Sequence, residues 1–102
     1  MTRPLRIAEP ASRELSEAVR WYNAQRTGLG SELLAAIEGV LSDVAEHPLQ
    51  GSPVPGVARD RLRRMLVRRF PYQVVYEVNP DQVVVIAVAH LKRRPGYWNY
   101  RR

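Results

Sequence analysis

The sequence predicts an α+β domain of order β-α-α-β-β-β, with a helical hairpin packed on a four-stranded, mostly antiparallel sheet. Three observations carry this. Apolar residues recur at three- and four-residue steps through two segments of the first half. In the second half the period changes to two, with Tyr72, Val74, Tyr76 and Val78 on one face of a strand. Between the regimes lies LQGSPVPGVA, residues 49–58, whose two prolines and two glycines are loop chemistry. A chain of 102 residues accommodates one such domain, 1–102, around one core.

Leu5, Arg6, Ile7 and Ala8 read as a short first strand ended by Pro10. Pro10 suits a first helical position, and Glu14 complements the helix dipole. Ala11, Leu15, Ala18, Val19 and Tyr22 then mark an amphipathic helix to about Gln25. Gly28-Leu29-Gly30 supplies a tight reversal, with Ser31 placed to cap the next helix. Leu33, Leu34, Ile37, Val40, Leu41, Val44 and Ala45 form the stripe of that helix, which the His47-Pro48 step ends.

After the loop, residues 61–67 read as a strand with alternating cations. The strand bearing Tyr72 to Val78 follows, and Asn79-Pro80-Asp81-Gln82 is a hairpin turn. Residues 83–89 are apolar on both faces, which places them centrally in the sheet with the first strand on their far side. The tail from Lys92 to Arg102 mixes cations and aromatics with no hydrophobic period. It lies across the sheet end or hangs free.

Charge is distributed unevenly. Residues 59–102 hold eleven cations against Asp60, Glu77 and Asp81, giving +8, whereas residues 1–58 carry −2. Fifteen of the sixteen cations are Arg, which grips phosphate or carboxylate through two parallel hydrogen bonds. Such a field attracts polyanions and steers their approach. With no cysteine and only His47 and His90, disulfides and thiolate metal sites are excluded and no metal or other cofactor is expected. No run approaches the roughly 20 apolar residues of a bilayer span, and the N-terminus lacks a signal-like apolar stretch. A cytoplasmic location with no membrane partner is the expectation.

Several pieces taken in order form a pattern: Trp21-Tyr22 with Gly28-Leu29-Gly30, Arg69-Phe70-Pro71-Tyr72 before Val75-Tyr76, and Ala87-Val88-Ala89-His90 followed by Arg93, Pro95 and Trp98. Over residues 7–98 the chain resembles the RelE/ParE superfamily, the toxins of bacterial type II toxin-antitoxin modules, which function in growth arrest and plasmid stabilisation. The resemblance implies the fold above and a cognate antitoxin that wraps the toxin, here expected to be acidic, with a higher-order toxin-antitoxin oligomer left open. Two mechanisms are implied. RelE-like members cleave mRNA on the ribosome, and ParE-like members poison DNA gyrase without being enzymes. The alternative to both is a non-toxic basic domain that binds nucleic acid.

Metal-free RNA cleavage needs a base, an acid and cations around the phosphate. The positions most similar to those of RelE-like nucleases are Arg61, Arg64, Arg69, Arg93 and Tyr97, with His90 an alternative acid or base. Arg63, Arg68, Lys92, Arg94 and Trp98 are the candidates for holding nucleic acid or antitoxin. Each has a plain counterpart: the Arg run as a solvated sheet face, His90 as a hydrogen-bonded strand end, and the terminal rings as a cap on the sheet. Tyr22, Phe70 and Tyr72 read as packing residues, and Trp21 either fills the helix seam or faces a partner.

Overall fold

Alternation, turn chemistry and helical period resolve into nine short elements in the computed structural model, which describes residues 3–55 and 61–101. Strand β1 (Leu5–Ile7) leads into α1 (Glu9–Gln25) and α2 (Leu29–Glu46). A 3-10 turn at Pro48–Gln50 precedes β2 (Ser52–Pro53), β3 (Leu62–Leu66), β4 (Tyr72–Val78) and β5 (Val83–His90), and a second 3-10 turn spans Asn99–Arg101. The end of the predicted loop, 56–58, and the charged Arg59, Asp60 and Arg102 lie outside the described residues.

The sheet has five strands in the order β1-β5-β4-β3-β2, one more than the sequence predicts. The addition is Ser52–Pro53, which pairs antiparallel with Arg63 and Arg64. Pro53 cannot donate to a ladder, so a two-residue edge is all this loop can contribute. β1 runs parallel to β5, and the other pairings are antiparallel.

The two glycines of the helical turn answer different demands. Gly28 precedes α2 at φ 90, a left-handed conformation open to glycine at little cost. Gly30 lies against α1: a Cβ there would meet the Val19 carbonyl oxygen at 2.3 Å, and its N–H donates to Asn23 Oδ1 at 2.8 Å. α2 therefore begins at Leu29, and Ser31 is an exposed helical residue, not the predicted cap.

Two apolar clusters flank the sheet. The helix-side cluster joins Leu33, Ile37 and Val44 to Val74, Tyr76 and Val85. The opposite cluster gathers Leu62, Val75, Ile86, Ala87 and Ala89 beneath Trp98, so the tail covers this face instead of hanging free. β5 feeds both clusters through the ordinary alternation of a strand, and it also carries a bulge. Val75 faces Ala87 but Tyr76 faces Val85, leaving Ile86 as the extra residue. Ile86 and Ala87 consequently share one face, although they are neighbours in sequence.

That bulge also decides what the β5 edge needs. β1 stops at Ile7, and its last ladder bond runs from the Ala8 N–H to the Val85 carbonyl at 3.0 Å. Beyond it, the Val88 N–H donates to Glu14 Oε1 at 3.0 Å and the Ile86 carbonyl accepts from Arg101 Nη1 at 3.3 Å. Two side chains thus continue the work of a strand that has ended. No described helix is long and apolar enough to cross a membrane.

Candidate functional site

Pleating separates the candidate arginines before any ligand is considered. Arg63 and Arg64 are adjacent on β3, so they point to opposite faces of the sheet. Arg63 lies opposite Tyr76 on the helix side, and its Nη1 donates to the carbonyls of Gly51 at 2.8 Å and Leu49 at 3.2 Å. Arg64 lies opposite Val75 on the other face, and its side chain makes no hydrogen bond or ion pair among the described residues. It lines a cavity of about 330 Å³ with Gln73, Val75, Pro95 and Trp98.

The other cations of the hairpin are dispersed. Arg61 reaches Asn79 Oδ1 at 3.5 Å, at the far end of β3. Arg68 is exposed beside the turn that joins β3 to β4. Arg69 is bound to Glu32 of α2, where Nη2 meets Oε1 at 2.8 Å. Arg61, Arg63, Arg64, Arg68 and Arg69 therefore do not form a single phosphate cradle.

A second group does converge, at the end of β5. Arg64, His90, Arg93, Arg94, Tyr97 and Trp98 all line one cavity of about 140 Å³. Within it His90 Nδ1 accepts the Lys92 N–H at 3.0 Å, which requires that nitrogen to be unprotonated. The imidazole also meets the Tyr72 ring edge-on, 5.1 Å between centroids. The Arg93 guanidinium stands 3.9 Å from the Tyr97 ring centroid, a cation–π contact. Lys92 and Arg94 are exposed. Trp98 is only 4% exposed and packs into the sheet face, so its indole anchors the tail and offers no stacking surface.

Tyr97 is the most constrained of the set. Its hydroxyl donates to Glu14 Oε2, while Arg101 grips the same carboxylate from Nη1 at 2.9 Å and Nη2 at 3.2 Å. Burial first, and the hydrogen bond to Glu14 second, push the Tyr97 phenol well above its ordinary value of 10.0. A phenol held neutral and already donating to an internal carboxylate is poorly placed to exchange a proton with a substrate.

Sequence reasoning assigned Glu14 to the helix dipole, but α1 begins at Glu9 and the carboxylate serves the tail instead. A signal was available. Glu14 sits three residues after Ala11 and four before Ala18, on the buried stripe of α1, where a charge demands partners. Trp21, by contrast, is 57% exposed and leaves the helix seam to Tyr22.

The model of the ParE toxin of type II toxin-antitoxin systems matches residues 5–95, most of the chain. The chain belongs to the ParE toxin family. Solved structures agree on the fold of this ParE-family toxin. The chromosomal ParDE system of P. aeruginosa aligns at TM-score 0.75 and 13% identity, covering 89% of this chain and 98% of that one. An E. coli RelE toxin with two arginines replaced, in its free state, aligns at TM-score 0.67 and 23% identity, with coverages of 90% and 86%. The RelBE2 toxin-antitoxin complex of Mycobacterium tuberculosis gives 0.57 and 22%, covering 88% and 99%. No curated protein matches in sequence.

Proposed function

We propose that this ParE-family toxin acts by binding, with DNA gyrase as its target, and that it is not a nuclease. The observation that carries this reading is the engagement of the Tyr97 hydroxyl by Glu14. RNA cleavage at a metal-free site depends on groups free to take and give protons. Here the phenol is occupied, His90 Nδ1 is occupied, Arg63 is held by backbone carbonyls and Arg69 by Glu32. Among the described residues of the basic half, Arg64, Arg68, Lys92 and Arg94 have no side-chain partner and suit recognition of an acidic surface.

A cognate antitoxin follows from membership of a toxin-antitoxin family and from the −2 against +8 division of charge. It is acidic and orders on binding, neutralising the arginines as it does so. Ribosome-bound mRNA cleavage is the second reading, favoured by the convergence of Arg64, His90 and Arg93 on one cavity.

Induction of the toxin in bacteria without antitoxin separates the readings. Filamentation, a DNA-damage response and stalled gyrase complexes are expected. Rapid loss of translation with cut mRNA establishes the nuclease, and unaffected growth leaves a non-toxic nucleic-acid binder.

A further inference from the structure

Glu14 belongs to the acidic half of the chain, yet its carboxylate holds the end of the basic half. Oε1 accepts from the Val88 N–H and Arg101 Nη1, and Oε2 accepts from Tyr97 and Arg101 Nη2. The side chain is 17% exposed and that of Arg101 9%, so these bonds are largely shielded from competing water. We propose that Glu14 is the positioning residue of the target-binding surface: it fixes the orientation of the C-terminal segment, and with it Arg93 and Arg94. This rests on the reading that the basic C-terminal half meets the target.

The geometry gives Glu14 a task distinct from docking the tail. Trp98 attaches the segment by apolar packing, because its indole is buried in one cluster with Val75, Ile86 and Ala87 on the sheet face, with Tyr97 partly packed against it. Apolar packing is not directional and does not by itself fix the orientation of the segment. The turn before the anchor is itself permissive, since Gly96 takes φ 76 directly after Pro95. Tyr97 and Arg101 flank Trp98 on both sides, and Glu14 holds both. The Tyr97 ring in turn carries the Arg93 guanidinium, and the Arg94 carbonyl accepts the Tyr97 N–H at 3.2 Å. The carboxylate on α1 therefore reaches Arg93 through the Tyr97 ring and Arg94 through the Tyr97 backbone.

Three groups lose a partner together if Glu14 is replaced. Among the described residues, the Arg101 guanidinium would keep a bond to the Ile86 carbonyl and contacts with the Tyr97 and Tyr100 rings, and its Nε is already buried without a partner. The Val88 N–H stands at the bulged edge of β5, beyond the reach of β1.

Glu14→Gln tests the proposal with three readouts: amide exchange, the ionisation of the Tyr97 phenol followed by NMR, and growth arrest with stalled gyrase on induction. The expected result is cooperative melting as in wild type, at least tenfold faster exchange at Val88 and residues 97–101, and Tyr97 ionising at lower pH. Growth arrest and gyrase stalling fall at least tenfold. Unchanged exchange overturns the positioning role, and so does fast exchange with undiminished growth arrest. Should Glu14→Gln fail to fold, the Tyr97→Phe/Arg101→Lys double variant leaves the carboxylate on Val88 and is read by amide exchange at residues 97–101 and by growth arrest with stalled gyrase, with Val88 exchange staying as in wild type. Wild-type toxin that does not stall gyrase defeats the target reading by itself, because exchange and phenol ionisation score the hold of Glu14 on the tail without it.

Discussion

Arg69 Nη2 donates to Glu32 Oε1 at 2.8 Å, joining the β3–β4 turn to the first turn of α2 across 37 residues of sequence. Arg69 makes this contact at φ 72, the one positive φ outside glycine among the described residues. Left-handed backbone costs an L residue roughly 1 kcal/mol and costs glycine almost nothing. Replacing Arg69 by Gly or by Ala removes the same ion pair, but only Gly relieves the backbone. Arg69→Gly is therefore expected to be more stable than Arg69→Ala by about 1 kcal/mol in urea unfolding. Equal stabilities would show that φ 72 carries no strain.

Glu32 gives that link a pH dependence. The Arg69 hydrogen bond lowers its carboxyl below the ordinary 4.5, with smaller contributions from the charges of Arg26 and Arg69. A carboxylate lowered on folding stabilises the folded state above its unfolded value and ceases to do so as pH falls through the folded one. Wild type should thus exceed Glu32→Gln in melting temperature at neutral pH, and the gap should close below pH 4.5. Salt narrows it as well, because both side chains are accessible to water.

The fold was legible wherever one side-chain period governs one element. Helical stripes at Leu33, Ile37 and Val44 and alternation at Val74, Tyr76 and Val78 read directly. The bulge at Ile86 did not, because an unbroken apolar run looks alike with or without an extra residue. Nor did β2, whose Ser52 and Pro53 pair only through backbone already aligned by β3. The site was less legible than the fold. Basic residues pointed to the second half of the chain, but Arg63 and Arg64 are parted by the pleat, and the Glu14–Tyr97 contact spans 83 residues. Burial of Glu14 on the α1 stripe was the one local clue.

Tyr76 shows how the loop before β2 is held, and it predicts a sharp response to substitution. Its buried hydroxyl donates to the Pro48 carbonyl at 2.8 Å and accepts the Gly51 N–H at 2.9 Å. Tyr76→Phe leaves both partners unsatisfied and should cost about 1–3 kcal/mol. Gly51→Ala places a Cβ 2.2 Å from that hydroxyl and 2.7 Å from the Arg64 carbonyl, neither of which can withdraw freely. Its expected cost is also about 1–3 kcal/mol, through overpacking. Denaturant titration of both variants checks this, and the pair should be less than additive because they disrupt one contact.

Adjacent arginines on β3 permit a test of which cations meet the antitoxin. Among the described residues the Arg64 side chain has no partner on the tail side, whereas Arg63 is bound to the carbonyls of Leu49 and Gly51. Arg64→Glu should leave the melting temperature nearly unchanged and weaken antitoxin binding at least tenfold, with a shallower dependence of affinity on salt. Arg63→Glu should do the reverse, lowering stability because the Leu49 and Gly51 carbonyls lose their donor and a carboxylate takes its place. Titration calorimetry at two salt concentrations, beside thermal melts of each variant, measures both effects. An antitoxin that binds the Arg64→Glu toxin with wild-type affinity at low salt would show that the tail-side face is not where the acidic partner lies.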